Sequence, residues 1–115
     1  MRDAAVLGSQ SAQIYLGDHY ERGDGVPRET DRAKRYFRLC AAAGNATCQY
    51  RLARLLLAAP DRPERDYVQA VAWLELASER GLAEAQEPAK KESEALTPSQ
   101  SDWVKTLKAQ LVRKN

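Results

Sequence analysis

One isoleucine, six valines and four threonines in 115 residues leave little material for a β-sheet, because pleated, half-buried strands favour β-branched side chains. Alanine, leucine and charged residues dominate instead, so the composition predicts an all-α protein. No apolar run approaches the roughly 20 residues that a membrane-spanning helix needs. The first ten residues, MRDAAVLGSQ, lack a basic leader and an apolar signal core; an exported form would have shed its signal already. His19 is the only histidine, flanked by Asp18 and near Glu21. It has neither the ligand partners of a zinc site nor a nucleophile to serve, and reads as a surface or partly packed residue. There is no nucleophile elbow, phosphate loop or paired metal motif, and Asp24-Gly25 within GDGVP lacks the alternating carboxylates of a calcium loop. These absences predict a protein that is not an enzyme and takes no cofactor and no metal. With 18 basic and 16 acidic residues interspersed, the net charge of +2 gives no sign of nucleic acid binding. Lys105, Lys108, Arg113 and Lys114 near the end, without interleaved aromatics, read as a solvated helix face.

What the sequence does have is centred on Ala33 to Gln49, AKRYFRLCAAAGNATCQ. Ala33, Tyr36, Phe37, Cys40 and Ala41 recur at helical spacing, Gly44 and Asn45 stop that helix, and Cys48, Leu52, Leu55 and Leu56 open another. The stretch is a helix hairpin with a very short turn. Cys40 and Cys48 lie one helical turn before and after the corner, within reach of each other. Two buried thiols acting as small apolar residues are the alternative to a bond between them. In a chain this short a covalent staple would matter, since only about two thirds of the unfolded surface is removed from water.

Self-comparison extends the pattern. Gly8-x-x-x-Ala12-Gln13, Gly44-x-x-x-Cys48-Gln49 and Gly81-x-x-x-Ala85-Gln86 recur at offsets of 36 (12 to 48) and 37 (48 to 85) residues. Leu16 then aligns with Leu52 and Ala89, Gly17 with Ala53, Tyr20 with Leu56, Ala33 with Ala70, Tyr36 with Trp73, and Cys40 with Ala77. Small residues allow antiparallel helices to approach while large ones fill the gaps between pairs, and stacked pairs bury what one pair cannot. The expected helices run over residues 9–22, from a cap at Thr30 or Asp31 to about Ala43, then 46–58 and 66–80. Gly25 is expected to take a positive φ in the first turn. Pro60 and Pro63 should stiffen a projecting second loop. Pro88 predicts a kink or a late start in a helix after Gly81. Thr97-Pro98-Ser99-Gln100 reads as a capping box opening a last helix on which Trp103, Leu107 and Leu111 share a stripe. Trp73 and Trp103 are both expected in the core, and residues 2–8 align with the end of a preceding helix.

Ala12-Gln13-x-x-Leu16-Gly17-x-x-Tyr20-x-x-Gly23-x-Gly25-Val26, followed by Asp31, Ala33, Tyr36, Cys40-Ala41 and Gly44, resembles the Sel-like repeat of the tetratricopeptide superfamily. The second repeat keeps Leu52, Ala53, Ala70, Trp73, Ala77 and Gly81 but has Ala59-Pro60-Asp61-Arg62-Pro63 in place of the Gly-x-Gly-Val turn. The resemblance implies a short α-solenoid in one domain, residues 1–115, with repeats at 9–44 and 45–81 and a C-terminal cap at 82–113. From the cysteine-rich secreted members it implies that Cys40 and Cys48 are oxidised. A periplasmic or secreted location would follow, with a cytoplasmic one if they are not. It also implies that the first helix of each pair lines a concave face. That puts Ile14, Asp18 and Arg22, then Tyr50, Arg54 and Leu57, at a partner-binding surface, although Ile14 and Tyr50 would equally serve to cover the edge of the core. The expected role is a non-enzymatic protein-binding module of the bacterial envelope, as adaptor, assembly factor or immunity-type inhibitor. Its partner would be an exported or envelope protein, and homodimerisation through the same surface or through an uncapped N-terminal edge is compatible with the sequence. The rival readings are a binder or weak hydrolase of cell-wall material and a structural segment of a longer solenoid.

Overall fold

The computed structural model describes residues 10–22, 29–59 and 62–111. These residues form six helices and no strand: α1 (Gln10–Arg22), α2 (Thr30–Ala42), α3 (Ala46–Ala58), α4 (Glu64–Glu79), α5 (Ala83–Ala95) and α6 (Pro98–Leu111). The architecture is an all-α solenoid. From α1 to α5 each helix packs on the next in chain order, while α6 lies on α4 and not on the α5 that precedes it.

Two turns of the same kind set this path. Gly44 and Gly81 both take a positive φ, 98° and 90°, which glycine adopts without a Cβ clash. The Gly44 N–H donates to the Ala41 carbonyl (3.0 Å) and the Asn45 N–H to that of Cys40 (3.1 Å). Gly81 and Leu82 repeat the pair on Ser78 (2.9 Å) and Ala77 (3.2 Å). Each α2-type helix therefore ends in a Schellman turn that satisfies its orphan carbonyls. Asn45 then starts α3 by accepting the Cys48 N–H at 3.0 Å on Oδ1, and its Nδ2 donates to Gln10 Oε1 of α1 (3.0 Å).

Helix starts depart from expectation in three places. α2 begins at Thr30, with Glu29 in the cap position and no side-chain cap; neither Thr30 nor Asp31 caps it. Glu29 is already fixed, because its N–H donates to the Tyr20 carbonyl (3.0 Å) and its carboxylate pairs with Arg32 (3.3 Å). α4 begins two residues before the expected 66, since Pro63 at φ −65° is preset for entry and its carbonyl accepts the Tyr67 N–H (3.1 Å). Glu64 and Asp66 in the first turn complement the helix dipole. Of the kink or late start expected from Pro88, the late start does not occur: α5 begins at Ala83 and runs as one helix to Ala95 with Pro88 inside it. The expected Gly25 turn, Pro60 and the remnant at 2–8 lie outside the described residues.

The main core holds Phe37, Leu52, Leu56, Trp73 and Leu74, with Ala33, Ala41, Ala53 and Ala70 between them. Gly17 meets this core closely: a Cβ there would stand 2.6 Å from the Phe37 ring. A second cluster joins Val68, Val71 and Ala72 of α4 to Val104 of α6, flanked by Leu96, Leu107 and Leu111. Trp103 corrects the sequence reading, being 37% exposed where Val104 is 1% exposed. The capping box explains the register. Thr97 N–H donates to Gln100 Oε1 (3.0 Å) and Gln100 N–H to Thr97 Oγ1 (3.2 Å), and a helix begun there turns Val104, Leu107 and Leu111 inward at i, i+3, i+7 spacing. Trp103, one residue before Val104, is carried outward.

Candidate partner-binding surface

The concave-face candidates come from α1 and α3. Ile14, Tyr50 and Leu57 are half-buried and pack on the edge of the main core. Arg54 is exposed and holds its guanidinium 5.6 Å from the centre of the Tyr50 ring, a cation–π contact that fixes an otherwise flexible cation. Arg22 is exposed at the end of α1 and is engaged with a neighbouring group. Asp18 does not pair with Arg54. Its carboxylate takes Arg51 of α3, whose guanidinium also lies 5.9 Å from the Phe37 ring centre. Sequence reasoning missed Arg51; its only signal was a place in the column of Tyr15.

The cysteines occupy the α2–α3 corner. A disulfide joins Cys40 to Cys48, with Cα atoms 5.8 Å apart and both residues fully buried. Beside it the alignment column of glutamines acquires a role the sequence did not disclose. Gln49 Nε2 donates to the Ala41 carbonyl (3.1 Å), and Gln86 Nε2 donates to the Ser78 carbonyl (2.9 Å), eight residues back in each case. The glutamine therefore ties the start of one helix pair to the end of the previous one.

Away from these faces, α1 and α2 carry a ladder of rings. Tyr15 stacks on His19 at 6.2 Å, His19 meets Tyr20 edge-on at 5.5 Å, and Tyr20 stacks on Tyr36 at 5.9 Å. Arg32 closes it 5.4 Å from the Tyr20 ring centre. Its pKa is raised, first by its bond to the Tyr20 hydroxyl and then by Glu29. His19 thus spends its surface on aromatic packing.

A shallow cleft between α4 and α5 is lined by Glu75, Ser78, Glu79, Gln86, Lys90 and Ser93. It opens where Ala89 and Ser93 stand in the columns filled by Leu52 and Leu56 one repeat earlier. Two of its carboxylates are engaged: Glu75 accepts from Ser93 Oγ (2.6 Å) and from Lys108 Nζ (3.1 Å), and Lys108 also pairs with Glu79. Burial pulls the Lys108 pKa down, but the bonds to Glu79 and Glu75 outweigh it and the net direction is up. Lys108 is thus turned inward as the clamp between α6 and α4, a correction to its reading as a solvated cation. Lys105 is exposed, and Arg113 and Lys114 lie outside the described residues. No group of histidine, cysteine or carboxylate side chains among the described residues is arranged to hold a metal ion. None of the described helices is long and apolar enough to cross a membrane.

The repeated glycine turns, glutamine ties and small-residue columns have a counterpart in known sequences. The family model of the Sel1 repeat matches residues 10–45 and 46–82. The chain belongs to the Sel1 repeat family. No curated protein matches it. Among solved structures it is similar to the crystal structure of c5321, a protective antigen present in uropathogenic Escherichia coli strains that displays an SLR fold. The TM-score is 0.81 and the identity 27%, over 96% of this chain and 24% of that one. The present Sel1-repeat chain thus spans about a quarter of that neighbour's length. Membership of the family makes it a protein-interaction scaffold in general terms, built on repeat packing.

Proposed function

We propose that this chain is a non-enzymatic protein-binding module of the bacterial envelope. In this reading it takes its partner on the concave face through Ile14, Asp18, Arg22, Tyr50, Arg54 and Leu57. The observation that carries it is the Tyr50–Arg54 pair. An aromatic ring and a guanidinium held over it, 5.6 Å apart, share the edge of the main core with the half-buried Ile14 and Leu57. Aromatic and arginine anchors over apolar support are what dominate protein interfaces. A surface fixed by repeat packing loses little ordering entropy on binding. The buried disulfide favours an oxidising compartment, and a neighbour described as a protective antigen is in keeping with that. Exported or envelope proteins are therefore the partner pool, and adaptor, assembly factor and immunity-type inhibitor are the roles to separate. A second reading, a segment of a longer solenoid, draws on the 24% share of the SLR-fold neighbour that this chain covers.

The test is photo-crosslinking in the envelope, with the reactive group placed at Thr47, one turn before Tyr50 on α3, and, as control, at Ser99 on α6. The concave reading expects a discrete adduct from position 47 that Arg54→Glu abolishes and position 99 never gives. Equal adducts from both positions, or none from position 47, would sink it. Saturable binding of a peptidoglycan fragment, abolished by the same variant, would move the assignment to a cell-wall ligand.

A further inference from the structure

The outward columns of α2 and α4 correspond residue for residue, and α4 shows what such a face can seat. Ala72, Glu75, Leu76 and Glu79 stand in the columns of Arg35, Arg38, Leu39 and Ala42. On α4, Ala72 packs with Val104 of α6 and Glu75 and Glu79 hold its Lys108, while Leu76 packs on the edge of the main core. On α2 the matching stripe, at i, i+3, i+4, i+7 spacing, carries no helix among the described residues. Arg35 and Arg38 are exposed, and Leu39 is 40% exposed.

The two arginines also differ from the other described arginines. Arg32, Arg51 and Arg65 each reach a carboxylate; Arg54 and Arg62 lie over tyrosine rings; Arg80 covers the Gly44 turn; and Arg22 is engaged. Among the described residues no such partner stands against Arg35 or Arg38. The helix dipole does not account for them either, since neither lies in the last turn of α2. The N-terminal half of α2 is different, because Lys34 pairs with Asp31 at 3.4 Å where α4 has Val71 and Val68. The uncompensated charge is confined to the two turns around Leu39.

We propose that Arg35, Arg38 and Leu39 form a second interaction surface, separate from the concave face, that seats an acidic amphipathic helix of a protein partner. It follows the α6-on-α4 contact, with the charge exchanged in the column of Glu75 and Arg38. Carboxylates of the incoming helix meet Arg38 and Arg35 as Lys108 meets Glu75, and an apolar residue covers Leu39.

The probe is a labelled peptide with the sequence of α6 in which Lys105→Glu and Lys108→Glu are made, titrated with the intact protein by fluorescence anisotropy. It is expected to bind, and to weaken about tenfold or more in Arg35→Glu/Arg38→Glu. Leu39→Ser, which keeps every charge, is expected to weaken it as well, whereas Arg54→Glu on the concave face leaves it unchanged. Raising ionic strength from about 0.05 to about 0.3 M weakens it further, as for exposed charges. All substituted positions are on the surface, and helicity by circular dichroism confirms that each variant is folded. Three results overturn the proposal. The peptide fails to bind; or its binding ignores both the arginines and Leu39; or phosphatidylglycerol vesicles or duplex DNA bind the same arginines more tightly than the peptide does.

Discussion

In α2 the outward columns hold Asp31, Lys34, Arg35 and Arg38, and in α4 they hold Val68, Val71, Ala72 and Glu75. The inward columns of the two helices scarcely differ: Ala33, Tyr36 and Cys40 against Ala70, Trp73 and Ala77, all buried. Repeat packing constrains the inner side of each helix and leaves the outer side free to take solvent, a cap or a partner. One inner pair does differ, and it differs by compensation. Phe37 stands over Gly17, whereas the same two columns in the next repeat hold Leu74 and Ala53. A larger side chain on one helix is met by a smaller one on the other, as constant packing density requires.

The largest effect expected from breaking this comparison is at the joint between the repeats. Cys40→Ala/Cys48→Ala opens the staple that only the α2–α3 corner possesses. It should lower unfolding free energy by about 2–3 kcal/mol in the loop-entropy account, read as a shift of the urea midpoint. Next is the volume exchange. Gly17→Ala should cost about 1–3 kcal/mol, because its Cβ would enter the Phe37 ring. Adding Phe37→Leu, which reproduces the pair of the following repeat, should recover part of that loss. Additive losses in the double variant would show that the columns are not coupled.

The glutamine ties should rank by burial. Gln49 is fully buried and Gln86 exposed, so Gln49→Ala should cost about 1–2 kcal/mol and Gln86→Ala clearly less. Equal costs would contradict the reading. The smallest effect concerns pH and the α4 side alone. Lys108 is raised by Glu79 and Glu75 against the opposing pull of burial. Tyr67 is raised by burial and then by donating to Glu92 at 3.1 Å. Both hold their proton more tightly folded than unfolded. Their contribution is therefore complete below the unfolded pKa values, about 10, and is lost as pH rises through the folded ones. Tm should stay level from neutrality to about pH 9.5 and fall above about pH 10, with a shallower fall in Lys108→Met.

The helices, the hairpin corner and the repeat were legible because each rests on local chemistry: positive-φ glycines, an asparagine cap, a Thr-Pro-x-Gln box and a small-residue column. Where α6 would lie was legible only as far as its being a cap. That Val104 and not Trp103 faces inward depends on a start set by Thr97 and on which face α4 leaves uncovered, and the latter is tertiary information. Lys108 was misread for the same reason, since its partners are 29 and 33 residues away on another helix. Of the concave candidates, the columns indicated that Ile14, Tyr50 and Leu57 share a side. They could not indicate that Asp18 is taken by Arg51, a contact made only when the two repeats stack. The glutamine column was seen as a pattern and its purpose was not, because a tie to a carbonyl eight residues back requires the glycine turn between them to be folded.

The partner pool proposed for this Sel1-repeat chain depends on the joint being oxidised. The most direct test is the intact mass of protein taken from an oxidising compartment, unfolded and alkylated with and without prior reduction. The account predicts no alkyl group before reduction, two after it, and a monomeric mass throughout. Two alkyl groups without reduction would contradict it, leaving Cys40 and Cys48 as buried thiols and directing the search for partners to the cytoplasm.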